Sequence, residues 1–131
     1  MNSAYFLSIL LIIGITHLAQ SCDDNSFEPR FGWFVYGRQG VIDEAKMCLK
    51  WAPRALDKFI KHRQHNGSAK AFADEAGHSF ESYLDTMMTY EKSDQPNMVL
   101  FTATRALLSL TNLSVEMKSL TELIPEKKDE A

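Results

Sequence analysis

Three stretches of the chain repeat apolar residues at intervals of three and four, the spacing that gathers them on one side of a helix. The first starts at Val41 and continues through Ala45, Cys48, Leu49, Ala52, Leu56, Phe59 and Ile60 to about Gln64. The second runs from about Ala69 to Lys92, with Phe72, Ala76, Phe80, Tyr83, Leu84, Met87 and Met88 predicted as its inner face. The third follows the break Ser93-Asp94-Gln95-Pro96-Asn97 and extends to about Ile124 through Leu100, Ala103, Leu107, Leu110, Leu113, Met117 and Leu120. Polar turns separate them: HRQHNGS (62–68) after the first, and the Ser93–Asn97 break, where Ser93 or Asp94 suits a cap and Pro96 a first helical turn.

Two residues interrupt these patterns. Pro53 removes a helix hydrogen bond and crowds the preceding turn, so it either kinks the first helix or starts another. The apolar face keeps its phase across Pro53, which favours a kink or a near-collinear pair over a sharp reversal. Gly77 costs about 1 kcal/mol relative to alanine inside a helix, and close packing against a neighbour is a reason to keep it. Helices with one apolar stripe each, joined by short turns, can bury those stripes only against one another. The predicted fold is therefore all-α, an up-down bundle of three long helices over 41–124, or four if Pro53 breaks the first. Residues 125–131 follow as a solvated tail.

Residues 22–40 break the helical period. Phe27, Phe31, Trp33, Phe34 and Tyr36 lie among Pro29 and glycines 32, 37 and 40, which argue against a stable helix there. The segment is read as irregular: a short strand, a lid over the helices or an exposed adhesive patch. A lid is the commoner use of such aromatics in a small domain, because they bury large apolar areas.

The first residues show no period at all. Met1–Ser3 is polar, residues 5–15 (YFLSILLIIGI) are almost wholly apolar, and THLAQS (16–21) ends in small residues. This is the layout of a signal peptide over 1–21, with Ala19 and Ser21 at the small-residue positions and cleavage before Cys22. The apolar run is too short for the roughly 20 residues that cross a bilayer. No Lys or Arg precedes it. A cysteine directly after the cut would also suit a lipid-bearing residue, although Ala19 stands where such sites carry leucine. No later segment is read as a transmembrane span.

The 110 residues that remain suit one domain with one modest core. In an oxidising compartment Cys22 and Cys48, the only cysteines, can pair and tie the amino-terminal segment to the first helix; alternatively Cys48 is a small buried hydrophobe and Cys22 pairs elsewhere or is modified. Asn66-Gly67-Ser68 and Asn112-Leu113-Ser114 match the N-glycosylation acceptor pattern. Asn66 lies in a polar turn and is the better candidate, Asn112 in a helical stretch.

Charge divides the chain. Residues 22–70 hold nine basic and six acidic side chains, residues 71–131 five and eleven. Lys46, Lys50, Arg54, Lys58 and Lys61 fall within about a third of the first helix's circumference, a basic amphipathic pattern suited to anionic lipid, a sulfated glycan or a protein partner. The acidic second and third helices could equally neutralise that face from within. Catalytic signatures are sparse. Glu75-Ala76-Gly77-His78 has the Glu-x-x-His spacing of helical di-iron sites, which need the motif twice. His62 and His65 offer only two ligands.

The expectation is a small secreted, extracellular, non-enzymatic protein with no cofactor, no metal and no nucleic-acid partner. It would bind another protein or an anionic surface through Lys46, Lys50, Arg54, Lys58 and Lys61 together with Phe31, Trp33, Phe34 and Tyr36. The alternative expectation is a carrier of a small apolar or lipid-like ligand inside the bundle, for which the methionines and phenylalanines would supply an adaptable interior.

Overall fold

A computed structural model of the chain describes residues 21–63 and 66–123, so the expected leader (apart from Ser21), His65 and the tail lie outside the described residues. A 3-10 helix, Trp33–Val35, is followed by α1 (Gly37–Arg63), α2 (Gly67–Lys92) and α3 (Pro96–Leu123). The described residues hold no strand. Each long helix packs on both of the others, which makes the all-helical bundle read from the periodicity.

The helix count resolves at Pro53, which lies inside α1 without ending it. The helix runs through because Val41, Ala45, Cys48, Leu49 and Ala52 on one side of the proline and Ala55, Leu56 and Phe59 on the other are all buried on one continuous face. Pro53 itself is on the exposed side, so its ring does not interrupt that buried face. The expected start at Val41 is corrected: α1 begins four residues earlier, at Gly37. Gly37 enters the helix at φ 75°, a conformation that glycine adopts at little cost.

Helix α2 begins at an Asn66 cap, whose side-chain oxygen accepts from the N–H of Ser68 and Ala69. Its inner face is Ala69, Phe72, Ala76, Phe80 and Met87, with Tyr83 and Leu84 partly covered. Met88 is exposed, contrary to its expected place on that face. The turn to α3 is closed by the Ser93 N–H donating to the Thr89 carbonyl and by the N–H groups of Met98 and Val99 donating to Gln95. Pro96 occupies the first helical position, where no N–H is required.

Helix α3 is the most apolar element. One 18-residue window reaches a mean hydropathy of 1.3, so by length and composition it could cross a membrane, contrary to the expectation that no later segment would. Its inner side, from Val99 through Ala103, Ala106, Leu107 and Leu110 to Ser114, is in the bundle core. The Ser114 hydroxyl there is buried without a hydrogen-bond partner among the described residues.

Candidate functional site

Residues 21–36 form a strap that ties itself to all three helices and then presents an aromatic tip. The strap begins with a tight turn in which the Asp23 carboxylate accepts from the N–H of Asn25 and Ser26. Cys22 is joined to Cys48 of α1 by a disulfide, with Cα atoms 4.9 Å apart. Phe27 is wholly buried and meets Phe80 of α2 edge to face, ring centroids 5.0 Å apart. Glu28 receives the ammonium of Lys118 on α3 at 2.6 Å, and Lys58 on α1 holds Asp24 at 2.7 Å.

The inner end of the tip is fixed by a buried carboxylate. Glu44, on the core side of α1, accepts from the Arg30 backbone N–H at 2.8 Å and from its guanidinium at 3.3 Å. The Ser21 hydroxyl donates to the same carboxylate at 2.6 Å. Hydrogen bonding to Glu44 holds the Arg30 guanidinium above its ordinary pKa. That guanidinium also lies 4.8 Å from the centre of the Tyr36 ring.

Beyond these anchors the aromatics divide. Trp33 is half-buried and meets Phe34 edge on at 5.9 Å. Phe31, Phe34 and Val35 stand 85%, 69% and 71% exposed, and Tyr36 is also exposed. Of the segment's five aromatics, Phe27 alone is wholly buried against the helices. Phe31, Trp33 and Phe34 border a recess shared with Asp23, Glu28 and Thr111 of α3.

Lys46, Lys50, Arg54, Lys58 and Lys61 all lie on the exposed side of α1. Three are paired: Lys46 with Glu91 at 2.7 Å, Lys58 with Asp24, and Lys61 with Asp57 at 3.2 Å. Lys50 and Arg54 flank the half-buried Trp51 ring, at 5.7 and 4.8 Å from its centre, and have no ion pair among the described residues. The basic face is thus largely compensated, by one carboxylate each from α2, the strap and α1 itself. The Lys58 hydrogen bond holds the Asp24 carboxyl below its ordinary pKa of 3.8.

A groove of about 770 Å³ runs between α1 and α2. Leu49, Pro53, Leu56, Ile60, Gly77 and Leu84 give it an apolar lining, and Asp57, Lys70, Asp74, His78 and Glu81 are its polar members. His78 and Glu75 are exposed, as is His62. No group of three or more His, Cys, Asp or Glu side chains among the described residues is placed to hold a metal ion.

The two acceptor patterns differ in access. Asn66 uses its side-chain oxygen as a helix cap, which leaves the amide nitrogen that would carry a sugar outside those bonds. Asn112 is exposed but its hydroxyl partner Ser114 is wholly buried. No protein-family model matches the chain, and no curated protein or solved structure matches it either.

Proposed function

We propose that this protein is secreted and acts without catalysis, by contact with another protein through the aromatic tip Phe31, Trp33, Phe34 and Tyr36. The observation that carries this reading is the exposure of Phe31, Phe34 and Val35 on a frame anchored by a disulfide, a buried carboxylate and a buried phenylalanine. Leaving three large apolar side chains in water is unfavourable, and such patches rimmed by polar groups mark interaction surfaces. Anchoring lowers the ordering cost of binding, because the backbone of the tip is already positioned. Charge supports a protein over an anionic membrane: Arg30 is engaged by Glu44, Glu28 by Lys118, and Asp23 lies beside the tip. Lys50, Arg54 and Trp51 form a second, smaller contact area on α1.

The cysteine pair favours an oxidising compartment, and residues 1–21 supply the export signal. The test is capture from extracellular fluid by proximity crosslinking from the tip, comparing the wild type with Phe31→Ser/Phe34→Ser. A protein captured by the wild type and lost in the variant supports the reading. Equal capture by both, or none, removes it.

The groove between α1 and α2 favours a second reading, carriage of an apolar ligand, because its volume lies within the range of small-molecule sites. An apolar fluorescent probe that binds in high salt, raises the melting temperature and is excluded by Gly77→Phe would support it.

A further inference from the structure

We infer that the groove between α1 and α2 takes a long-chain primary amine, with its ammonium over Gly77 between Asp74 and Glu81 and its alkyl chain along the apolar floor. This deepens the carrier reading and rests on it. A glycine inside a helix weakens it relative to alanine, and close approach of a neighbour is the usual structural use of one. That use is absent at Gly77. A Cβ there would have Leu56 Cδ2 at 3.8 Å as its nearest neighbour, an ordinary contact, and Gly77 is only half-buried. What the missing side chain does leave is room, because Gly77 and Leu56 both line the groove of about 770 Å³.

The charges around that gap select the head group. Asp74 and Glu81 stand three residues before and four residues after Gly77, the intervals that bring side chains onto one helix face a turn apart. Both line the groove, both are exposed, and neither has an ion pair among the described residues. On the facing wall Asp57 is already paired with Lys61 at 3.2 Å. Lys70, the one lysine of the lining, stands one turn beyond Asp74 and away from Gly77. An anionic head over Gly77 would meet two uncompensated carboxylates, whereas an ammonium offers them three N–H donors. The direction of the chain follows from the packing. Helices α1 and α2 run antiparallel, with Leu56 beside Gly77 and Lys46 paired to Glu91, so Leu49, Pro53 and Leu84 lie together at the end remote from Lys70. From Lys70 to Leu84 the groove follows α2 for about 21 Å, an elongated shape that suits a single alkyl chain.

The experiment is displacement of a neutral apolar fluorophore, diphenylhexatriene, from the purified protein by dodecylamine, dodecanol and dodecanoate, each below its micellar concentration. Dodecylamine should act at about fivefold lower concentration than dodecanol, the advantage expected of two exposed charge contacts, and dodecanoate should be the weakest. Asp74→Asn/Glu81→Gln should bring dodecylamine to the level of dodecanol and leave dodecanol unchanged. About 0.5 M salt should shrink the same advantage. Gly77→Ala separates binding from folding, because it should raise the melting temperature while weakening dodecylamine. Equal displacement by dodecylamine and dodecanol, or an amine advantage that survives the double amide variant, would overturn the inference and leave carriage of an apolar ligand standing. Failure of the protein to bind diphenylhexatriene, with no rise in melting temperature from any of the three amphiphiles, would remove the carrier reading as well.

Discussion

The carboxylate of Glu44 takes both the backbone N–H and the guanidinium of Arg30, so one buried side chain on α1 fixes a residue fourteen positions earlier in main chain and side chain alike. The pair is asymmetric: Glu44 is wholly enclosed, while the Arg30 side chain is about one-third exposed. Losing Arg30 therefore leaves a carboxylate without its cation in the interior, whereas losing Glu44 leaves a guanidinium that water can reach. Arg30→Ala should cost about 3 kcal/mol and Glu44→Gln about 2 kcal/mol, measured by denaturant unfolding. Equal costs would mean that the enclosure of Glu44 does not govern the pair.

The same strap supplies a comparison between two phenylalanines. Phe27 is wholly buried against Phe80, and Phe27→Ala should destabilise by about 3–5 kcal/mol. Phe31 is exposed, and Phe31→Ala should leave stability within about 0.5 kcal/mol of the wild type while removing binding at the tip. Paired melting and binding curves for the two variants check this.

Two helical glycines should respond to alanine with opposite sign. A Cβ on Gly77 would lie 3.8 Å from Leu56 Cδ2, an ordinary contact, so Gly77→Ala should stabilise by about 0.5–1 kcal/mol through helix propensity. A Cβ on Gly40 would come within 2.5 Å of the Tyr36 Cβ, an atom set by the backbone. Gly40→Ala must move the 3-10 turn, and a lowered melting temperature with weakened tip binding is the expected outcome.

Asp24 provides a pH prediction. The Lys58 hydrogen bond lowers its carboxyl pKa in the folded chain, so the contribution of this pair is present above the unfolded value and is lost as pH falls through the lower, folded value. An NMR titration should place the Asp24 carboxyl below ordinary aspartates, and Lys58→Met should move it back up. Both side chains are exposed, so about 0.5 M salt should shrink the difference.

Processing also bears on Glu44. The proposed cleavage before Cys22 would remove the Ser21 hydroxyl that donates to this carboxylate and leave the Cys22 α-ammonium one residue along the chain. A chain beginning at Cys22 with a free amino terminus should therefore be more stable than its acetylated form, by about 1–2 kcal/mol in denaturant unfolding. Identical curves would show that the ammonium does not take over from Ser21.

The helices, most of their inner faces and their short turns were legible from the chain alone, because a period of 3.6 is a local property; the Asn66 cap and the exposure of Met88 were not read there. The burial of Glu44 was legible too in one respect: it lies three residues after Val41 and four before Cys48, on the inner face by spacing, although its charge argued for solvent. Pro53 was ambiguous, since propensity opposes a continuous helix and only the buried face on both sides of it outweighs that opposition. Glycines 37 and 40 misdirected the start of α1. Their fit depends on a positive φ at one and the approach of Tyr36 at the other, which composition cannot express. The basic row on α1 was visible as a pattern. Its neutralisation by the acidic helices was read as an alternative, and Glu91 supplies it in part; Asp24 was not anticipated, because it reaches the row from the strap, a distant part of the chain. The sequence by itself determined the elements, because helices form from neighbours. The tertiary structure decided which of the strap's aromatics is core and which is surface, because only packing of the strap across three helices separates Phe27 from Phe31.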